Sequence, residues 1–473
     1  MRKLEDLINR IIDRVNINLR EPAFDVGPYV RELIDWEKFT KFYAFYGLTS
    51  QTPLRFHFGN CNIAGSYFLG KCFVDFSVVY KCDVRGDELK SKEEIFQSDG
   101  LRIRLHEDES IIIKDSFLVK TLIHNHSHDP ENPESFLIQN TVSLHYANIH
   151  GAPVEGSFLG PFSTIDLTTI HDCVIGNYAY VQVGELTHKL VEPGTIWIRN
   201  KEAFEFEYQY DLNILKKYID LTAGSVPTGI FMEFVESRKE DFVEIFERAP
   251  SQSRTLVPTG ASLSRYAVVR GQNTIEENVL VAQRSYLENT SMGKGANAQE
   301  NCYLIDSTLQ GFNVTAHGGK VISADLGKRV FVGFNSFLRG STDCRLKVGD
   351  DCVVMPHTII DLTEPLEIPS NSLVWGFISN SKHLETNSID LDEFRKIDDS
   401  FEKGRLKFTG SGDKFVRGFR NRVQHILEAN GAFFESDVNS GHAQLGRTIS
   451  FNIVQPYREG LSRGLYPTVD IMP

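Results

Sequence analysis

The stretch LKVGDDCVVMPHTIIDL at residues 346–362 decides how the rest of the chain is read. Aliphatic residues recur in it at six-residue steps, at Val348, Val354 and Ile360, with small or polar residues between them. That spacing fits a left-handed parallel β-helix. One aliphatic residue per hexad points inward, small residues permit the corners, and three hexads of roughly 18 residues complete a triangular coil. An antiparallel sandwich would instead show strict alternation and a hairpin turn about every 8–12 residues.

Working outward, the same texture returns in CVIGNYAYVQVG (173–184) and LGKRVFVGFNSFL (326–338). Two proline-containing segments, VEPGTIWI (191–198) and IPSNSLVWG (368–376), read as the closing turns of two separate solenoids. The expected organisation is an N-terminal helical and aromatic cap at 1–50 and a first β-helix at 51–200. A helical insertion follows at 201–255, then a second, degenerate β-helix at 256–380 and a helical tail at 381–473. In the cap, Leu4, Leu7, Ile8, Ile11 and Ile12 fall on one side of an amphipathic helix. Helical spacing is also read in 205–221, 229–249, 388–404 and 412–429, the last preceded by the capping sequence SGD.

Composition narrows the function classes. The 473 residues carry a net charge of -13, which argues against nucleic acid or an anionic membrane as partner, because phosphate binding needs a basic surface. No apolar run reaches the roughly 18 residues of a membrane span, and the charged start is not a secretory signal. Seven cysteines form no CxxC pair and are scattered through β-rich sequence as buried thiols, so a reducing, cytoplasmic setting is expected.

Fourteen histidines are present, and those at 124–150 cluster. His145 and His150 stand five residues apart in LHYANIHG, and His124 lies upstream of the first of them by close to one coil. Imidazoles on adjacent turns can form a three-nitrogen tetrahedral site with the open fourth position that catalytic zinc needs. The order SVVYKCDVRGDE (77–88), LIH (122–124), HYANIHG (145–151) resembles that of the γ-class carbonic anhydrases, members of the hexapeptide-repeat superfamily of trimeric left-handed β-helices. The resemblance implies His124, His145 and His150 as zinc ligands at a homotrimer interface. It implies Arg85 and Asp87 as the ion pair that orders the site, and a small electrophile such as carbon dioxide as substrate. Two departures stand out. About one extra coil, KSKEEIFQSDGLRIRLHED (90–108), lies between the RGD segment and the first histidine, and the glutamine that helps orient zinc-bound water falls on Leu118.

The second solenoid resembles an eroded copy of the first. AVVRGQN (267–273) stands for the RGD segment, with Gln272 in place of aspartate. GANAQENCYLI (295–305) keeps Gln299 but has Ile305 at the first histidine. In GFNVTAHGG (311–319), Phe312 replaces the first paired histidine and His317 matches the second.

A different chemistry is read in TIHDCVIGN (169–177), which resembles the IAHDCxVGN segment of hexapeptide acyltransferases. There the histidine is the general base on an attacking hydroxyl or amine, with coenzyme A or an acyl carrier as donor. His171 takes that place, and the companion histidine three residues earlier is Thr168. The sequence thus leaves three readings: a zinc-dependent anhydrase-like enzyme, an acyltransferase, and a non-catalytic assembly scaffold.

Overall fold

The computed structural model describes residues 2–31, 33–49, 54–98, 100–126, 132–201, 203–247 and 255–472. The chain divides into two compact units. The first comprises Met1–Trp197, Asp211–Met232 and Ile449–Pro473, and the second comprises Ile198–Tyr210 and Glu233–Thr448. Each is built on a left-handed parallel β-helix of three stacked ladders.

In the first unit, Val142, Phe158, Val174 and Leu190 lie on successive rungs of one ladder, so each coil falls two positions short of three full hexads. Its inward column runs Ile149, Val154, Leu159, Ile165, Ile170, Ile175, Val181, in steps of five, five and six, every member fully buried. The second unit is closer to the hexad ideal. Asn297, Val314 and Phe331 occupy successive rungs, one position short of three hexads, and its core runs Val281, Leu287, Met292, Ala298, Leu304, Leu309. Shorter coils need tighter corners, and these fall on left-handed residues such as Phe162, Tyr178, Asn278, Asn301 and Asn335. At Gly176 the requirement is closeness. A Cβ there would stand 2.4 Å from the Pro193 backbone nitrogen of the next coil.

The helix Arg2–Asn18 forms as the pattern predicts. It buries Leu4, Leu7, Ile8, Ile11, Ile12 and Val15 on the outer face of the ladder carrying Val78, Phe117, Val142, Phe158 and Val174. Three other helical expectations are corrected. Ala44–Leu48 in the cap is a strand paired parallel to Tyr67–Leu69. Phe204–Gln209 is a strand antiparallel to Leu406–Gly410, its FEFEYQ alternation having period two rather than 3.6. In 388–404 one short helix, Leu391–Phe394, lies between strands Ser388–Asp390 and Ser400–Lys403. Helices Leu212–Tyr218, Ile230–Glu236, Lys239–Glu247 and Gly412–Ala429 do form, the last capped by the Ser411 hydroxyl, which accepts the Lys414 amide.

The chain's end is not a free helical tail. Ser450–Val454 pairs antiparallel with Ala44–Leu48, and Val469–Ile471 with Arg55–Gly59, closing the N-terminal edge of the first solenoid. Among the described residues no helix is long and apolar enough to cross a membrane.

Candidate functional site

One ladder of the first unit carries the candidate site. Val84, Ile123, Ile149 and Ile165 are in register across its rungs and point into the core. Alternation along each strand then turns their C-terminal neighbours outward in a second column: Arg85, His124, His150 and Asp166. The spacing anomaly in the sequence dissolves here. Residues 90–108 add no coil; they leave the solenoid as a hairpin, Ile95–Ser98 against Leu101–Arg104, so Arg85 and His124 sit on adjacent rungs.

All four side chains are largely buried. Arg85 and Asp87 form a two-pronged pair, Nε to Oδ1 at 3.2 Å and Nη2 to Oδ2 at 2.8 Å, made within the chain. Such a planar fork is rigid. The His124 and His150 rings meet edge to face at 5.1 Å, and their ring nitrogens come within 4.8 Å of each other. His124 Nε2 is 3.3 Å from Glu88 Oε1, and His150 Nδ1 is 2.8 Å from Asp166 Oδ1. Asp166 is fully buried and accepts the Tyr180 hydroxyl, which also lies 3.0 Å from Gln182 Oε1. A carboxylate on Nδ1 fixes the tautomer and presents Nε2 as the ligand or base atom, the usual outer-shell arrangement around metal-binding histidines.

His145 does not join them. It occupies the corner before the strand Asn148–His150, where its carbonyl accepts the Phe162 amide. Among the described residues, no group of three ligand atoms within 4.8 Å of one another includes His145. The first unit therefore supplies two of the three histidines that the resemblance assigns to zinc. Leu118, at the place of the water-orienting glutamine, is a fully buried core residue.

The second unit corrects the alignment of the copies. His317 precedes the left-handed Gly318 and the strand Lys320–Ile322, as His145 precedes the left-handed Tyr146 and the strand Asn148–His150. His317 thus takes the place of His145, not His150. Ile322 stands at His150, and Ile305, closing the strand Tyr303–Ile305 one rung earlier, stands at His124. The shared HG dipeptide misled the sequence comparison. His317 keeps its own buried partner, with Nδ1 3.0 Å from Glu300 Oε2.

His171 ends the strand Thr168–His171, in register with Glu155 on one side and Thr187 on the other. Its side chain is 40% exposed, and Nδ1 is 3.7 Å from Glu155 Oε2, an ion-pair contact too long for a hydrogen bond. Thr168 is a buried corner residue whose hydroxyl donates to the Asp166 carbonyl and accepts the Val183 amide. Asp166, Tyr180 and Glu88 are the site residues the sequence reading passed over. A coil two positions short of three hexads would have placed Asp166 one rung beyond His150.

Residues 101–223 match the family model for the hexapeptide repeat including loop. Over 100% of this chain and 99% of the other, at 56% identity and a TM-score of 0.93, the chain is similar to the crystal structure of a protein from Desulfovibrio desulfuricans G20, provisionally described as an acetyltransferase. The chain belongs to the hexapeptide-repeat transferase superfamily. Two other solved structures are far more distant. GDP-perosamine N-acetyl transferase from Caulobacter crescentus, in complex with CoA and GDP-perosamine, is 13% identical, covering 36% of this chain and 81% of the other. LpxA from Acinetobacter baumannii is 11% identical, covering 69% and 97%. Both have a TM-score of 0.13. No curated protein matches the chain.

Proposed function

We propose that this hexapeptide-repeat protein is an acyltransferase. It would move an acyl group from a thioester, of coenzyme A or an acyl carrier, to a hydroxyl or amine of a small-molecule acceptor. The observation that carries the reading is the end-to-end similarity, at 56% identity, to the Desulfovibrio protein described as an acetyltransferase. His171 is the proposed base, because its half-exposed imidazole at a strand end can meet an acceptor while Glu155 stands beside it. In the step, the acceptor's lone pair attacks the thioester carbonyl and its proton passes to the imidazole. The C–S bond then breaks and the proton leaves with the thiol, so no further reactant is consumed. Thiol release from acetyl-CoA over a panel of amines and alcohols tests the proposal. His171→Ala is expected to lower kcat by about 10²–10⁴-fold; undiminished transfer would remove His171 from this role.

A second reading is favoured by one specific observation, the His124–His150 contact backed by Asp166. With a third donor, this pair would hold zinc or another divalent ion, which would act as a Lewis acid or activate water. Carbon dioxide hydration is not supported by these residues, given the core leucine at 118. Metal analysis of protein purified without added zinc decides the point. The expected result is metal in the wild type and its loss in His124→Ala and His150→Ala, and equal metal in all three would refute the site.

A further inference from the structure

His150, Asp166, Tyr180 and Gln182 form one chain of polar contacts across neighbouring rungs of the first unit. Asp166 ends the strand Thr164–Asp166, and Tyr180 begins the next strand, Tyr180–Gln182, in register with Thr164. Tyr180 and Gln182 stand two residues apart, so both face outward on the side where Asp166 lies. Tyr180 thus reaches Asp166 diagonally. Its hydroxyl donates to Oδ2, while Oδ1 stands 2.8 Å from His150 Nδ1. Gln182 Oε1 lies 3.0 Å from the same hydroxyl. Tyr180 and Asp166 are buried.

The groups themselves set the sense of each bond. An ionised carboxylate only accepts, a phenol has one proton to donate, and a neutral imidazole carries its proton on one nitrogen. Of the two acceptors beside the phenol, the charged one takes the proton, because charge-assisted bonds are roughly twice as strong as neutral ones. Asp166 then accepts from Tyr180 on one oxygen and from His150 Nδ1 on the other, which puts the imidazole lone pair on Nε2. The second unit shows that the coil itself does not require this phenol. Where the first has His150, Asp166 and Tyr180, the second has Ile322, Arg339 and Ile359 on the corresponding rungs, and Ile359 packs there fully buried. Histidine, carboxylate and phenol are present together in one unit and absent together from the other.

We propose that Tyr180 is a positioning residue for a divalent metal ion at His150, acting through Asp166; the proposal rests on the metal-binding reading of His124 and His150. The terminal torsion of an aspartate is broad, and a donor on Oδ2 stops the carboxylate from turning away from Nδ1. Nε2 therefore stays the ligand atom. Without the phenol the carboxylate turns, and the imidazole also populates the form that carries its hydrogen on Nε2, where no metal can bind.

The test uses full-length, chelator-treated protein with zinc as the probe. Nitrogen NMR of histidine-labelled wild type should show the Nδ1–H tautomer of His150 before zinc is added. Tyr180→Phe is expected to populate the Nε2–H tautomer and to weaken zinc binding by about 10–100-fold. Asp166→Asn, whose amide can donate to Nδ1, should give the Nε2–H tautomer outright. An Nε2–H tautomer in the wild type overturns the positioning role without recourse to any variant. So does a Tyr180→Phe protein with wild-type tautomer and zinc affinity, or zinc loss accompanied by a thiol-reactive Cys173, since that would make Tyr180 a packing residue. Wild-type protein that takes up no zinc overturns the metal reading as well, whereas equal zinc in wild type and Tyr180→Phe overturns this role alone.

Discussion

Thr315 shows how the second solenoid's inward column tolerates a polar residue. It lies between Ala298 and Val332, is fully buried, and its hydroxyl has no hydrogen-bond partner, although the neighbouring Cys302 thiol donates to its carbonyl. Burying an unmet hydroxyl costs about 1–3 kcal/mol. Thr315→Val is therefore expected to stabilise the protein by about 1–2 kcal/mol in urea unfolding; a destabilised variant would contradict this. Lys320, five residues on, is a second buried polar group, in register with Tyr303 and Phe337 and donating to the Gly318 carbonyl at 2.6 Å. Burial pushes its ammonium down to about 8 from the ordinary 10.5. The folded state thus binds fewer protons than the unfolded chain between pH 8 and 10.5, and stability rises with pH across that window. Below pH 8 the cost is fully present. Wild type should gain up to about 3 kcal/mol relative to Lys320→Met between pH 8 and 10.5. Parallel stability curves for the two proteins would show that the amine is not held in this way.

At the scale of elements, the N-terminal helix is the test of how much the solenoid's outer faces contribute. Ile11 is fully buried in a cluster shared with Val78, Phe117, Val142 and Phe158. Ile11→Ala should destabilise the protein by about 2–5 kcal/mol, the cost of a buried aliphatic cavity, whereas the same change at the exposed Ile17 should cost little. Equal effects would mean that the helix is not anchored through this face. Elements whose side chains face one neighbour were legible, as Arg2–Asn18 and Gly412–Ala429 show. Ala44–Leu48 was not, because five largely apolar residues satisfy a helical and an extended pattern equally, and the period-two alternation of Phe204–Gln209 was masked by the helical run Leu212–Tyr218 that follows it.

At the scale of the whole molecule, two solenoids, their order and an acidic chain of net charge -13 follow from composition and repeat spacing. The aliphatic column is a one-dimensional signal, since each coil packs only on its neighbours, and so it survives in the linear sequence. His124, His150, Arg85 and His171 were singled out by another route, the resemblance of short motifs around them to those of known families. What the tertiary structure alone decided is which of them meet. The coil is shorter than three hexads and a hairpin absorbs 90–108, so Arg85 comes next to His124 and Asp166 beneath His150, while His145 stays at its corner. The pairing of Ser450–Val454 and Val469–Ile471 with Ala44–Leu48 and Arg55–Gly59 was equally invisible, because the partners are about 400 residues apart in sequence and backbone pairing carries no residue code, while the side-chain contacts beside it, Phe451 on Tyr67 and Asp470 on His57, show only once the chain is folded.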